Sequence, residues 1–213
     1  MAKKSTSSAS TTALRAFGMN CTLKQGPETS STQKLLDQLL RALQKHDVEG
    51  SSVRTVDHDI KPGVKADEGE GDAWPGLRKQ ILDADILVLA TPIWMGQPSS
   101  VVKRVLERMD AFLGEIDKQG RYPTFGRVAI VGVVGNEDGA HHVTAELYQA
   151  LADVGFSIPG GSSAYWVGEA MSSVNYVDLD RTPKAVGDTI KTLASNAAHL
   201  AKLLKQHPYP APL

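Results

Sequence analysis

Three stretches of the chain are rich in residues from the set Gly, Pro, Ser, Thr and Asn, which expose backbone amides and small donors suited to holding a ligand. The first runs from Asn20 to Thr29 and into Ser30-Ser31-Thr32. Thr22, Ser30, Ser31 and Thr32 offer hydroxyls, and a helix starting near Ser30 would add unpaired N–H groups and a positive dipole end. A phosphate fits such a place without arginine; the plainer alternative is an ordinary Ser/Thr helix cap. The second stretch is Thr91-Pro92-Ile93-Trp94-Met95-Gly96-Gln97-Pro98-Ser99. Two prolines fix its path, Gly96 permits close approach, and Trp94 and Met95 supply flat or polarisable apolar surface. It can lie against a planar ring while its amides bond the ring's edge, or it can be a rigid turn whose Trp94 caps the core. The third stretch, Gly135 to Ala140, carries Asn136, Glu137, Asp138 and Gly139.

Several chemistries are disfavoured by what these stretches lack. No GxGxxG follows the first strand and no GxxxxGK[ST] occurs, which argues against a dinucleotide fingerprint and a P-loop. The strand ending in Ala90-Thr91 has no terminal aspartate, so a phospho-receiver site fails. His141 and His142 are adjacent rather than four apart and converge poorly on one metal ion, so no metal site is expected. Cys21 has no CxxC partner and no obvious base, which suits a small packing residue better than a nucleophile. Tyr165 and Trp166 end the last strand, where they suit a pocket roof, a subunit contact or the core.

The elements that must position these residues alternate regularly. Ala13–Met19 reads as a buried strand, and Ser30 with Gln33 has capping-box spacing ahead of Leu35, Leu36, Leu39, Leu40 and Leu43 at helical intervals. Ser51–Asp57 is a more polar strand, as at a sheet edge. A long acidic loop, His58–Asp72, precedes a helix with Leu77, Ile81 and Leu82. Ile86–Ala90 and Val128–Val134 are continuous apolar runs, expected of strands buried on both faces. A helix after Ser99 runs from Val101 to Leu113, another spans His141–Val154, and a third Ala185–Leu204. Phe156–Val167 holds a last strand broken by Pro159-Gly160-Gly161. Five strands alternating with five helices imply a doubly wound α/β domain with a five-stranded parallel sheet in the order 2-1-3-4-5. A ligand is then expected beyond the carboxyl ends of the strands, where all three stretches lie.

Composition bounds the rest. The 213 residues are 41% hydrophobic and 22% charged with a formal charge of −1, which suits one soluble domain and gives no basic excess for nucleic acid. Seven Ser/Thr among the eight residues Ser5–Thr12 mark residues 1–12 as a flexible tail, followed by a domain over 13–205 and a Pro-rich tail over 206–213. No run approaches the ~20 apolar residues that span a bilayer, so no membrane partner is expected. One cysteine allows no internal disulfide, which makes the cytoplasm the default location.

On these segments the chain resembles the flavodoxin-like NAD(P)H-dependent FMN reductases and related quinone reductases. The resemblance rests on Gly18-Met19-Asn20-Cys21-Thr22-Leu23 with Ser30-Ser31-Thr32, on Thr91–Ser99, and on Gly135-Asn136-Glu137-Asp138-Gly139-Ala140-His141-His142, and it covers roughly residues 13 to 205. It implies FMN, with phosphate at Thr22, Ser30, Ser31 and Thr32. Pro92, Ile93, Trp94, Met95 and Gly96 would line the ring, with Asn136, Glu137, Asp138 and Gly139 near its other edge. It further implies NAD(P)H as co-substrate passing hydride to the flavin, a small-molecule electron acceptor, and no required acid–base residue. Lys24 is the only basic residue of the first loop, so NADH and NADPH both stay open. Glu137 and Asp138, if they face the ring, would disfavour an anionic reduced flavin. The acidic loop and the tail from His207 are expected to cover a neighbouring subunit's flavin in a homodimer or homotetramer. The alternatives are a flavodoxin-type electron carrier, which the near-neutral charge disfavours, and a non-catalytic flavin-binding module.

Overall fold

The apolar run in the middle of the chain becomes the centre of a parallel sheet. Strand β3 (Ile86–Trp94) pairs on one side with β1 (Leu14–Asn20) and on the other with β5 (Val128–Gly135). The outer places go to β2 (Val48–Arg54), largely exposed, and to the short β6 (Ala164–Val167). The order is thus β2-β1-β3-β5-β6, all parallel, the expected doubly wound, flavodoxin-like arrangement. This computed structural model describes residues 13–161, 163–170 and 172–211; the stretch 1–12, expected to be a tail, lies outside them.

The sixth strand was not expected. After leaving the sheet, β3 turns back through Met95-Gly96 into β4 (Gln97–Pro98), with Ile93 opposite Pro98 and Trp94 opposite Gln97. Both turn residues have positive φ (52° and 72°), the two-residue hairpin geometry that matches strand twist. The strand can carry Pro92 because β1 has already ended opposite Ala90, so no partner there needs its missing N–H.

Alternating strand residues divide the core into two layers. Phe17, Met19, Leu87, Leu89, Val131 and Val133 face helices α2 (Trp74–Asp83), α3 (Ser100–Met109) and α4 (Ala140–Asp153). Ala16, Val88, Ala90 and Ile130 face α1 (Ser31–Gln44) and α5 (Lys184–Gln206). Helix α1 presses closely on the sheet where two residues lack side chains. A Cβ on Gly18 would come within 2.9 Å of Leu36, and one on Gly132 within 3.1 Å of Leu39. Helix α3 stops at Met109, so Phe112 and Leu113 fall on a following 3-10 turn, Asp110–Gly114. Phe156–Val167 splits: Ser157 bridges Val128 and only Ala164–Val167 forms a strand. Tyr209 of the Pro-rich end hydrogen-bonds Ser157 at 2.9 Å and packs on Phe125.

The acidic loop is fastened from beneath by Arg108 of α3. Its fully buried guanidinium donates to the carbonyls of Lys61 (2.9 Å) and Lys65 (2.8 Å) and to Asp72 Oδ2 (2.8 Å), whose side chain is also buried. Burial pushes the Asp72 carboxyl up, but Arg108 and the N–H groups of Glu68, Trp74 and Lys61 outweigh it and hold the group well below the ordinary range. A carboxyl depressed on folding contributes stability above the ordinary carboxylate range and loses it as acid protonates it. Asp72→Asn is therefore expected to lower stability at neutral pH by about 3–5 kcal/mol, since it leaves a buried cation unpaired. In denaturant titrations the gap to wild type should narrow below about pH 4; a gap independent of pH would contradict the assignment.

Candidate active site

The carboxyl ends of β1, β3 and β5 open into one cleft of about 420 Å³, within the usual range for small-molecule sites. Its first wall is the loop after β1. Asn20, fully buried, accepts from Thr22 N–H (3.1 Å) and donates to Gln33 (2.8 Å), which ties the end of β1 to the first turn of α1. Arg54, at the end of β2, donates to the carbonyls of Gln25 and Glu28 at 2.8 Å each, and Asp57 accepts from Gly26 N–H at 3.0 Å. The loop is thereby rigid although it contains little apolar surface.

Ser30 caps α1 as its spacing implies, accepting from Gln33 N–H at 3.2 Å. The other half of the capping box is absent, because the Gln33 side chain reaches Asn20 and Asp37 instead. The N–H groups of Ser31 and Thr32 have no intrahelical acceptor, and no acidic residue stands in the first turn to neutralise the dipole. Lys24 sits in the wall with its ammonium 3.2 Å from the Thr29 carbonyl. One end of the cleft therefore gathers hydroxyls, helix N–H groups and a cation, a donor set that suits a phosphate.

The second wall is the β3–β4 hairpin. Ser99 joins it to the first, its hydroxyl donating to the Cys21 carbonyl at 2.6 Å and its N–H donating to Thr91 Oγ1 at 3.2 Å. Trp94, half exposed, and Pro92 and Ile93 line the cleft. Trp166 lines the same cleft, tilted against the buried Tyr176 with ring centroids 5.4 Å apart. A planar aromatic ligand finds apolar rings and a proline here, with the anion-suited end beside it, so the donor set and walls fit FMN.

Of the residues expected in the site, Thr22, Ser30, Ser31, Thr32, Pro92, Ile93, Trp94 and Asn136 line this cleft together. Met95, Gly96, Glu137, Asp138 and Gly139 do not. Met95 points outward at 91% exposure. Glu137 turns toward the hairpin, its two oxygens accepting from Met95 N–H and Gly96 N–H at 3.1 Å each. Those amides, considered for the edge of a ring, are thus held by a carboxylate, and Asp138 accepts from Gly139 N–H at 2.7 Å. Leu23, Lys24, Thr29, Trp166 and the segment Asn175–Asp178 line the cleft without having been assigned to it. For Trp166 the position at a strand end was the available signal; Asn175–Asp178 carried none, because it reaches the site across more than 140 residues of sequence.

Cys21 is fully buried, and burial pushes its thiol up to about 12, against the nucleophile reading. His141 packs edge-on to Tyr165, and among the described residues no cluster of three or more metal-ligating side chains occurs. A larger hollow, about 660 Å³, lies at the other end of the sheet beside Tyr122, Phe125 and Tyr209. Its arginines are already engaged, Arg121 by Asp117 and Arg127 by the Leu82 carbonyl, and no helix N-terminus faces it, so the carboxyl-end cleft is the better anion site.

A doubly wound α/β protein with its ligand cleft at the strand switch point is the class that this geometry defines. Residues 15–171 match the model of the NADPH-dependent FMN reductases, and the chain belongs to that family of flavin oxidoreductases. It is 34% identical over 216 residues to 8-demethyl-8-aminoriboflavin-5'-phosphate synthase of Streptomyces davaonensis, a match covering 92% of this chain and 80% of that one. The crystal structure of RosB with bound 8-demethyl-8-formylriboflavin-5'-phosphate is similar at a TM-score of 0.84 and 33% identity, over 92% of this chain and 82% of that one. A divalent metal cation transporter, MntH of Mycobacterium bovis (strain ATCC BAA-935 / AF2122/97), is 41% identical over 169 residues, 78% of this chain. The chain spans only 25% of that relative's length, and no helix among the described residues is long and apolar enough to cross a membrane.

The contact between the third loop and the hairpin yields a direct test. Gly139 has φ 122°, and a Cβ there would lie 2.8 Å from Gly96 Cα and 2.9 Å from its carbonyl oxygen. Gly139→Ala should therefore destabilise the chain by about 1–3 kcal/mol, read as a lower denaturant midpoint; an unchanged midpoint would show that the two loops do not pack this closely.

Proposed function

We propose that the chain is an FMN-dependent oxidoreductase that takes hydride from NAD(P)H and passes electrons to a quinone, a flavin or a similar small acceptor. The observation that carries this reading is the junction, in one cleft, of the α1 N-terminus with its hydroxyls and Lys24 and the apolar walls of Trp94 and Trp166. Bound FMN supplies the hydride and electron chemistry, and the protein's task is binding, orientation and exclusion of water. Thr22, Ser30, Ser31 and Thr32 hold the phosphate with Lys24 balancing its charge. Pro92, Ile93 and Trp94 take one side of the ring system and Asn136 and Trp166 the other. Glu137 acts one step away, fixing the hairpin through its two amides rather than touching the ring.

A second reading has a specific support. A similar protein's name and the molecule bound in a similar structure both specify a riboflavin phosphate altered at the 8-position, at 33–34% identity over most of this chain. In that reading the same cleft holds flavin phosphate as the molecule acted upon rather than as a resident cofactor.

One experiment separates the readings. The purified chain, supplied with FMN if colourless, is reduced anaerobically with NADH or NADPH while the visible flavin band is followed, and a second portion is held with FMN in air with an amino acid as amine donor before its flavin is recovered for mass analysis. Rapid bleaching with an unaltered flavin mass is expected, and the faster pyridine nucleotide identifies the co-substrate. A yellow protein inert to both nucleotides contradicts the reductase, and a changed flavin mass selects the second reading. A protein that ignores FMN contradicts both.

A further inference from the structure

The connection between β6 and α5 lies mostly beyond residue 171, where the family match ends, yet it closes one wall of the cleft with Asn175 to Asp178. Asn136 holds its near end, donating to the Ser172 carbonyl at 2.9 Å, and α1 holds the main chain over Tyr176–Leu179. Val177 N–H donates to Ser31 Oγ at 3.1 Å. Lys34 Nζ donates to the carbonyl oxygens of Tyr176 (3.1 Å), Val177 (3.2 Å) and Leu179 (2.9 Å), and lies 5.3 Å from the centre of the Tyr176 ring. The Tyr176 hydroxyl donates to Gln38, whose amide donates to Thr182 at 2.8 Å. Ser31, Lys34 and Gln38 are spaced three and four apart, so they form one polar stripe along α1.

Three carbonyls use all three donors of the Lys34 ammonium, so it has none left for a ligand. Its hydrogen bonds therefore act on the cleft through the strap they hold. A serine hydroxyl has one O–H to give; with Ser31 Oγ accepting from Val177, that O–H is left to donate into the cleft that Ser31 lines. The strap also fixes Asp178, whose carboxylate accepts from Asn175 N–H and Nδ2 at 3.0 Å each and is thereby kept from approaching an anion freely.

We infer that Lys34 is a positioning residue for the phosphate of the bound flavin, acting through the 175–179 strap and the Ser31 hydroxyl. This rests on the reading that flavin phosphate sits at the α1 N-terminus. Loss of Lys34 leaves three carbonyls without their cation, loosens the strap, and frees both the Ser31 hydroxyl and the Asp178 charge. The penalty falls chiefly on the phosphate end of the ligand and reaches the ring end only through Tyr176 against Trp166.

The test compares FMN with riboflavin, which lacks the phosphate, by calorimetric titration of wild type, Lys34→Met, Ser31→Ala and the double variant. Lys34→Met should weaken FMN about tenfold and riboflavin less than about twofold. The double variant should lose less than the product of the single losses, since both act on one interaction. Equal weakening of FMN and riboflavin would reduce Lys34 to a general structural role, and fully multiplicative losses would remove the route through Ser31; either overturns the inference. Hydrogen exchange on wild type needs no variant: FMN should slow exchange at Val177 and riboflavin should not, and equal slowing overturns the inference. If wild type binds riboflavin and FMN not at all, or neither, the flavin-phosphate reading itself has failed; if it binds FMN and Lys34→Met binds it equally well, only the role of Lys34 has.

Discussion

The close seat of α1 on the sheet is the contact on which the site depends. Leu36 over Gly18 and Leu39 over Gly132 bring the helix nearer than side chains at those two positions would permit. That seat puts the Ser30 cap beside the end of β1, where Asn20 can reach Gln33, and it turns the Ser31–Lys34–Gln38 stripe toward the segment before α5. A helix displaced outward by the bulk of one methyl group would part the anion-suited end of the cleft from its aromatic end. The apolar underside of α1 and its polar flank therefore serve one purpose, since the first fixes the distance and the second recruits the wall.

Charge is used differently in the two halves of the molecule. On the α3 face, Arg108 and Asp72 are buried as a pair that fastens a loop with little apolar content of its own. At the cleft, the donors are mostly neutral hydroxyls and backbone N–H groups, with Lys24 as the cation in the wall and Lys34 and Arg54 committed to loop carbonyls. Neutral donors at a helix end favour an anion without the desolvation cost of a buried guanidinium. The carboxylate nearest the hairpin, Glu137, is likewise engaged by backbone, so its charge steadies a turn that contains a non-glycine residue at positive φ.

Much of this was legible in the sequence because it is local. The Ser30 cap, the leucine stripe of α1, the two-face-buried strands and the switch-point loops follow from neighbouring residues and their spacing. What escaped depends on distant partners. Met95-Gly96 reads as part of a proline-fixed loop until β4 returns to pair with Trp94, and Glu137 reads as a ring-edge acid until the hairpin amides reach it. The strap is the clearest case: Asn175–Asp178 has a local capping box but no hydrophobic period and nothing that points to a ligand, and its place comes from an ammonium more than 140 residues earlier in the chain. The acidic loop had the reverse problem, since its length and poor patterning pointed to a cover over a neighbouring subunit's flavin while one buried arginine ties it to its own α3.

The central claim is that the carboxyl-end cleft receives a flavin phosphate with its phosphate at the first turn of α1. Amide-resolved NMR of the chain titrated in turn with FMN and riboflavin tests it most directly. The account predicts that the Trp94 and Trp166 indole signals move with both ligands, and that the Ser31 and Thr32 amides move with FMN alone. Shifts confined to Tyr122, Phe125 and Tyr209 at the opposite end of the sheet, or Ser31 and Thr32 amides indifferent to the phosphate, would contradict it.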